Sequence, residues 1–387
     1  MLQGGILLLF RSSPACKARI ATLWKNVYDI SYMDAVVTQF MDLVRIDSPS
    51  NEEAGIADYL ENWLNNHGFS VNRDHLNNLL GKREGAGESL LFTAHMDTVE
   101  PGRGIKPEIQ DDRIVSDGST ILGCDNKAPL AAMLTGVEEY LSINGNPRPI
   151  ELLFTVKEET GDGLNGFDFS AIQSKKGIAI DLGKDVGGIA ISSPFVTNFH
   201  VTFTGKAAHI RVMEQGNSAV TPLGEFLSEI RTGRADEGET SINIGLVSAG
   251  TGTNTVAAQA KIGGDLRSHD KVFFERKLSE IENAAKRAGE KNGITVHFYT
   301  DGYCPGYAFD EENELVQSVK RINEQLGLKP ILWKAFSVSD VNMLHNAGLN
   351  VINLGDGVIG HHTTEESISI ENLVILKNQV IAFLQEL

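Results

Sequence analysis

Four short apolar runs constrain the fold of this chain more than any other feature. They are SLLFTA at 89–94, IELLFTV at 150–156, GIAIDLG at 177–183 and NVINLG at 350–355. Nearly continuous apolar runs of this length are typical of strands that helices cover on both faces of a sheet. Patterns with helical periodicity precede and separate them, near 33–44, 52–67 and 126–141. The sequence therefore predicts an α/β fold.

The middle of the chain has a different pattern. NFHVTFTG and SINIGLVSAG alternate apolar and polar residues, as strands with one buried face do. With TVAAQAKIGGDLRS, GITVHFYT and two helical segments, they give the order β-α-β-β-α-β, an antiparallel sheet with helices on one face. We therefore expect a domain at 191–297 inserted into a main domain formed by 33–190 and 298–387. Residues 1–32 are expected to be an N-terminal extension outside the fold.

Composition and charge limit the partners of the protein. Its 387 residues carry a net charge of −17, which argues against nucleic acid or an anionic membrane surface as the main partner. No apolar run in the sequence approaches the length of a membrane span. The three cysteines, Cys16, Cys124 and Cys304, are widely spaced and odd in number. This favours a reducing compartment, and we expect a cytoplasmic protein.

Acidic and imidazole side chains occur at or near the ends of the predicted strands. In open α/β sheets the carboxyl ends of the strands meet at one edge, where ligands bind. The residues concerned are His95, Asp97, Glu158, Glu159 and Asp181, with Asp125 in GCDNK and the pair His361 and His362 in GHHTTEES. Singly, each has an ordinary explanation, because Asp125 could cap a helix and the histidines could lie in a surface loop. Together they supply the imidazole and carboxylate ligands that suit zinc.

The order and spacing of these motifs, from Met33 to Leu387, resemble the M20 family of dinuclear metallopeptidases, in particular its tripeptidase-like, peptidase T-like branch. His95-x-Asp97 is similar to the family's His-x-Asp motif, and GCDNK is similar to its G-x-D-D-K motif with Asn126 in place of the second acid. The resemblance implies a zinc-aminopeptidase-like catalytic domain, in which helices flank a mixed sheet. It also implies a ferredoxin-like (βαββαβ) lid domain inserted into the catalytic domain.

The resemblance also implies roles for individual residues. Five of them would be metal ligands, with the aspartate of GCDNK bridging two ions: His95, Asp125, Glu159, Asp181 and His362. His362 is expected rather than His361 because HTTEE fits the family pattern His-Ser/Thr-x-x-Glu. Glu158 would be the general base. Asp97 would lie behind His95 and accept a hydrogen bond from its ring.

Three further residues belong to the expected lid. His209 in GKAAHIRVMEQG resembles the family histidine that stabilises the oxyanion, sometimes from the partner subunit. Asn254 and Arg267 are similar to lid positions that contact substrate. Without the resemblance, His209 would be interpreted as a polar residue at an exposed strand end. Arg267 could clamp a substrate carboxylate or pair with Asp265 or Asp270.

The implied reaction is hydrolysis of an amide bond in small peptides by a metal-activated water, with release of the N-terminal amino acid. Asp181 favours this reading, because several carboxypeptidase and deacylase members of the family have Glu at that position. Two divalent ions are expected, zinc first, with manganese or cobalt as alternatives, and a homodimer formed through the lid. The alternatives are an N-acyl-amino-acid deacylase or a carboxypeptidase and, from another class, a non-catalytic metal-binding scaffold.

Overall fold

A computed structural model describes residues 34–236 and 239–387 of the chain. The expected extension at 1–32 lies outside the described residues, as does Met33, where the first helical pattern begins. No helix in these two ranges is both long enough and apolar enough to cross a bilayer.

Helices and strands alternate along most of the chain, as the sequence predicts. The helices are α1 (Ala35–Val44), α2 (Ala54–Asn66), α3 (Cys124–Ile143), α4 (Val220–Glu229), α5 (Lys271–Lys291), α6 (Glu314–Gln325), α7 (Asp340–Asn346) and α8 (Ile370–Glu386). The strands are β1 (Ser70–Arg73), β2 (Leu79–Arg83), β3 (Leu90–His95), β4 (Glu108–Gln110), β5 (Arg113–Val115), β6 (Ile150–Thr155), β7 (Lys176–Leu182), β8 (Gly188–Ser193), β9 (Phe195–Thr204), β10 (Gly233–Ala235), β11 (Thr240–Ala249), β12 (Gln259–Ser268), β13 (Thr295–Cys304), β14 (Tyr307–Ala308), β15 (Ile331–Lys334), β16 (Asn350–Gly355) and β17 (Ser367–Ser369). The predicted helix at 52–67 is α2, and Gly68 after it has the left-handed φ of 77° that commonly ends a helix.

The largest sheet has nine strands in the order β1-β2-β6-β3-β7-β16-β8-β14, with β15 paired to β8. Pairing is parallel for β3 with β6 and β7 and for β16 with β7, and antiparallel for β2 with β6 and β8 with β16. The sheet is therefore mixed, as expected. The four apolar runs of the sequence form β6, β3, β7 and β16, which are neighbours at its centre.

Both faces of the central strands are covered. Leu90 and Phe92 of β3 belong to a core that α1, α3 and α8 complete, whereas Leu91 packs with Val341 and Leu344 of α7. Successive side chains of a strand point to opposite faces, so this one strand contributes to two cores. That is why its sequence is continuously apolar rather than alternating.

A second sheet has five strands in the order β10-β11-β12-β9-β13 and is antiparallel throughout. Apart from the short β10, the chain order of strands and of helices α4 and α5 is the predicted βαββαβ. Phe199, Phe203 and Ile281 lie in its own core. The strands of this sheet span 195–304, and the expected domain limits of 191 and 297 stay a prediction.

Candidate metal centre

The parallel strands at the centre of the large sheet end at one edge. β3 and β6 are in register to their last residues, so that His95 lies opposite Thr155. Asp181 is the next-to-last residue of β7. Glu158 and Glu159 follow β6 in a single 3₁₀ turn. The strand order of the sheet therefore collects at one edge the residues that the sequence places at separate strand ends.

A first donor group consists of His95, Asp125 and Asp181, whose ligand atoms all lie within 4.8 Å of one another. His95 Nε2 is 2.9 Å from Asp125 Oδ1 and 3.5 Å from Asp181 Oδ1. Asn126 Nδ2 donates hydrogen bonds to Asp181 Oδ1 at 2.8 Å and to the main-chain oxygen of Ile180 at 2.9 Å. The residue that departs from the G-x-D-D-K motif thus donates to a candidate ligand instead of adding another negative charge.

A second donor group consists of Asp125, Glu159 and His362. His362 Nε2 is 3.1 Å from Glu159 Oε1 and 3.3 Å from Asp125 Oδ2. Asp125 therefore faces His95 with one carboxylate oxygen and His362 with the other. A carboxylate shared in this way suits the bridging position between two ions that lie about 3.5–4 Å apart.

The neighbouring histidine, His361, has a different partner. Its Nε2 lies 2.8 Å from Oδ2 of Asp356, a side chain that is 1% exposed. Burial lowers the pKa of His361, but the bond to Asp356 outweighs burial and raises that pKa to about 9. The geometry thus agrees with the choice of His362 over His361, although the metal-binding role itself stays a prediction.

Asp97 is fully buried, and its carboxylate fixes the turn that carries the two glutamates. Its oxygens accept hydrogen bonds from the Glu158 amide at 3.0 Å, the Glu159 amide at 3.2 Å and the Ser50 hydroxyl at 2.6 Å. Nδ1 of His95 lies 3.0 Å from the main-chain oxygen of Asp97 and 3.5 Å from its Oδ1. The sequence predicts a hydrogen bond from the imidazole to the Asp97 carboxylate, whereas the shorter contact of the ring is with the Asp97 main-chain oxygen. The contacts with the glutamate turn were not predicted.

Glu366 positions the loop that precedes α3, a role that no sequence motif predicts. It is 1% exposed, and its carboxylate accepts hydrogen bonds from the amides of Leu122 at 2.9 Å, Gly123 at 2.6 Å and Asp125 at 3.2 Å. Burial raises the pKa of Glu366, and the amide donors oppose that rise. Since 241 residues separate Glu366 from Asp125, no local pattern in the sequence signals this contact.

Two residues other than glycine have left-handed backbones beside the second donor group. They are Lys157, with a φ of 54°, and His362, with a φ of 60°. The Lys157 amide donates to Oε1 of buried Glu53 at 3.1 Å, which holds the start of the glutamate turn. A left-handed residue other than glycine costs about 1–3 kcal/mol, and such residues concentrate at functional sites. The backbone here is therefore held in the conformation that presents Glu159 and His362 to Asp125.

The carboxylates of the cluster raise one another's affinity for positive charge. Burial raises the pKa of Glu158 well above its usual value and raises the pKa of Glu159 to about 7. Burial would lower the pKa of His95, but its hydrogen bonds to Asp125 and Asp181 raise that pKa well above its usual value. His95, Glu158 and Glu159 therefore bind protons more readily than usual, because the charges of the carboxylates are not otherwise balanced among the described residues.

Two divalent cations fit this donor set in charge and in chemistry. Their four positive charges would balance the carboxylates of Asp125, Glu158, Glu159 and Asp181. Within the described ranges, Oε1 of Glu159 is buried and accepts no hydrogen bond, although Nε2 of His362 lies 3.1 Å away. A buried acceptor without a donor is costly unless something binds it. Imidazole nitrogen and carboxylate oxygen are ligands that zinc takes in proteins.

The expected lid residues His209 and Asn254 lie beside each other on the second sheet's loops. The amide of Ile210, next to His209, donates to the main-chain oxygen of Asn254 at 3.0 Å. His209 is exposed, and its Nδ1 accepts a hydrogen bond from the Arg211 amide at 3.2 Å. In the described part of the chain, no hydrogen bond or ion pair joins His209 or Asn254 to either donor group.

Arg267 has two partners away from the donor groups. Its Nε is 3.0 Å from Oδ1 of Asp265, and its Nη1 donates to the main-chain oxygen of Phe336 at 2.9 Å. The ion pair with Asp265 is the alternative that the sequence left open. Through Phe336, Arg267 also connects the second sheet to the segment that precedes α7. A contact with substrate stays a prediction for this residue.

Two donor groups that share one carboxylate, at the strand ends of a mixed α/β sheet, are the arrangement expected of dinuclear metal-dependent hydrolases. Peptidase family M20/M25/M40 matches residues 91–386 of the sequence. The chain belongs to this family and is an enzyme that hydrolyses peptide bonds. The family, the α/β fold class and the enzyme class that the sequence predicts are thereby confirmed.

Two solved structures and one further relative resemble this chain over nearly its whole length. Aminopeptidase PepT of Bacillus cereus is 33% identical with a TM-score of 0.86, and the match covers 92% of this chain and 98% of that chain. A tripeptidase of Staphylococcus aureus is 29% identical with a TM-score of 0.87, covering 92% of this chain and 98% of that one. The uncharacterized protein YqjE of Bacillus subtilis is 32% identical over 365 residues, 91% of this chain and 98% of the relative.

Proposed function

We propose that this protein is an aminopeptidase of the tripeptidase type, which releases the N-terminal amino acid from small peptides in the cytoplasm. The observation that carries the proposal is the shared position of Asp125 between the two donor groups, with Glu158 beside them. The similarity to an aminopeptidase supports cleavage at the N-terminal end of the peptide, and the similarity to a tripeptidase supports a substrate of three residues. The thiols of Cys124 and Cys304 are free, as a reducing compartment requires.

The proposed cofactor is a pair of divalent cations, zinc in preference to manganese or cobalt. His95, Asp125 and Asp181 would hold one ion, and Asp125, Glu159 and His362 the other. Such ions, when bound, lower the pKa of a water molecule and polarise the scissile carbonyl. The mixture of imidazole and carboxylate donors, without thiolate or amide ligands, supports zinc.

Glu158 would take the proton of the attacking water and pass it to the leaving amine. Burial raises the pKa of Glu158 well above the usual value of a glutamate, which favours a group that accepts a proton and later returns it. Asp97 would keep Glu158 oriented through the amide contact at 3.0 Å. Asp97 thus acts through the main chain of the catalytic turn and through the His95 ring.

The lid residues would complete the site on closure. His209 would donate to the oxyanion, and Asn254 and Arg267 would contact the peptide. His209 is exposed, and among the described residues it forms no hydrogen bond or ion pair with either donor group. This role therefore requires either movement of the 191–297 domain or a histidine supplied by a second subunit. A homodimer formed through this domain would provide the second route.

The proposed homodimer is supported by exposed apolar side chains on the second sheet. Leu246 is 70% exposed, Val247 is 52% exposed and Tyr299 is 46% exposed. Contact with a second copy would remove this area from water, at about 25 cal/mol for each Å² of apolar surface. Sedimentation equilibrium is expected to give twice the chain mass, and the Leu246→Glu variant should sediment as a monomer. A wild-type protein with the mass of a single chain at micromolar concentration would contradict the proposal.

A panel of four substrates tests the proposed reaction on zinc-loaded protein. It contains Leu-Gly-Phe, Leu-Gly, N-acetyl-leucine and N-acetyl-Leu-Gly-Phe. We expect kcat/KM for Leu-Gly-Phe to exceed that for each of the others by about tenfold or more, since correct polar contacts discriminate strongly. Leucine should appear first as the free amino acid. A chelator should stop the reaction, and added zinc should restore it.

The same panel separates the alternatives. Release of phenylalanine before leucine would identify a carboxypeptidase. Faster turnover of N-acetyl-leucine would identify a deacylase. Binding of two zinc ions without turnover of any member would identify a non-catalytic scaffold. Each of these three results contradicts the proposed aminopeptidase.

A further inference from the structure

A small cavity adjoins the first donor group on the side of α7. Its lining includes Glu158, His95 and Asp181, together with Thr93 of β3 and Asp340, the first residue of α7. Its volume is about 10 Å³, which is enough for a single group the size of a water molecule. The proposed catalytic glutamate therefore lines the cavity. The cavity can hold one heavy atom of a peptide with its hydrogens, but no larger group.

Two polar side chains of this cavity have no role in the proposed metal chemistry. Asp340 is in neither donor group. Within the residues that the structure describes, Asp340 forms no ion pair with a lysine, arginine or histidine. Thr93 is 2% exposed, and its hydroxyl oxygen has no hydrogen-bond partner among the described residues. A buried hydroxyl in this state is costly unless a further group satisfies it.

The charges indicate what that group is. Two divalent cations would balance Asp125, Glu158, Glu159 and Asp181, and Asp340 is a further carboxylate of this cavity that has no ion-pair partner among the described residues. A carboxylate in a confined site is stabilised by a cation that also donates hydrogen bonds. A positively charged group of the size of water that donates to two acceptors would therefore suit this cavity. A primary ammonium group meets all three conditions.

We propose that Asp340 and the Thr93 hydroxyl bind the N-terminal ammonium group of the peptide substrate. This inference rests on the proposed aminopeptidase function and names the feature by which that site would choose its substrates. Asp340 accepts a charge-assisted hydrogen bond from the ammonium, and Thr93 accepts a second one. A peptide with an acylated N-terminus lacks the charge, and its acyl group is too large for the cavity. The pair therefore selects peptides whose amino terminus is free.

The test compares a substrate and an inhibitor that differ only at the amino terminus. Trialanine carries the ammonium, and propionyl-Ala-Ala has a hydrogen in its place. With zinc-loaded Asp340→Asn, we expect the KM for trialanine to rise about 10–100-fold, because hydrogen bonds to charged groups contribute most among hydrogen bonds. The kcat should stay within about threefold, and the inhibition constant of propionyl-Ala-Ala within about twofold, since neither depends on the lost contact.

Two further variants keep the result interpretable. Thr93→Val has nearly the same shape and lacks the hydroxyl, so the KM for trialanine should rise about fivefold without a change in the inhibition constant. This variant decides the case if Asp340→Asn folds poorly or loses zinc. Asp310→Asn, at an exposed position before α6, is the matched control and should behave as the wild type.

The proposal is overturned if trialanine and propionyl-Ala-Ala weaken in parallel in both variants, if kcat alone falls, or if the KM for trialanine does not change. Failure of the proposed aminopeptidase function can be distinguished from failure of the ammonium site, because it would change the activity of the wild-type protein. A wild-type protein that does not cleave trialanine but removes acyl groups from amino acids contradicts the aminopeptidase itself, before any variant is compared.

Discussion

Glu158→Gln is expected to lower kcat for tripeptide cleavage by about 10³-fold or more, while the protein retains two equivalents of zinc. Glutamine has the size and shape of glutamate, but its amide cannot take a proton from water at neutral pH. General acid–base groups contribute about 10²–10⁴-fold, and this residue is proposed to act twice, as base and then as acid. Single-turnover kinetics and elemental analysis of the same preparation measure the two expectations together.

The adjacent residue supplies the matched control. Glu159→Gln changes the same chemical group one position along the 3₁₀ turn, but Glu159 belongs to the second donor group and Glu158 to neither group. Glu159→Gln should therefore lose about one equivalent of zinc, whereas Glu158→Gln should lose none. Turnover by Glu158→Gln above about one-tenth of the wild-type rate would remove Glu158 from its assigned role, and loss of zinc from that variant would make it a ligand instead.

The central strands could be predicted from the sequence because strands that are buried on both faces consist of consecutive apolar residues. The runs at 89–94, 150–156, 177–183 and 350–355 correspond to β3, β6, β7 and β16 within about two residues at each end. Each run is apolar on both faces, which few local structures other than a covered strand require. The order of these strands in the sheet is not a local property, and the sequence alone did not give it.

The candidate ligands could be named from motifs, but the contacts that hold them in place could not. His95 is the last residue of a strand, Asp181 is the next-to-last residue of another and His362 follows a third, so their convergence was expected from the fold class. The carboxylates of Asp97 and Glu366 accept amides 61 and 241 residues away in sequence. Such pairings depend on the folded path of the chain, because any buried carboxylate can satisfy any nearby amide.

The second large effect is expected at Asp125. Asp125→Ala should reduce bound zinc from two equivalents to less than one, because this carboxylate belongs to both donor groups. Asp181→Ala and Glu159→Ala each remove a member of one group and should each lose about one equivalent. Isothermal titration with zinc, at matched protein concentration, gives the stoichiometry of all four proteins. Two equivalents in Asp125→Ala would mean that the ions are not bridged by this residue.

Thermal unfolding provides an independent reading of the same prediction. A ligand at 100 times its dissociation constant stabilises the folded state by about 2.7 kcal/mol, so two such ions would add about 5 kcal/mol. For a chain of this size that corresponds to a rise in Tm of about 6 °C over the chelated protein. The Asp125→Ala protein should show little of this rise, and the two single-site variants about half of it. If Asp125→Ala and Asp181→Ala lost equal amounts, the two donor groups would be independent sites, and the shared carboxylate on which the proposed reaction depends would have no bridging role.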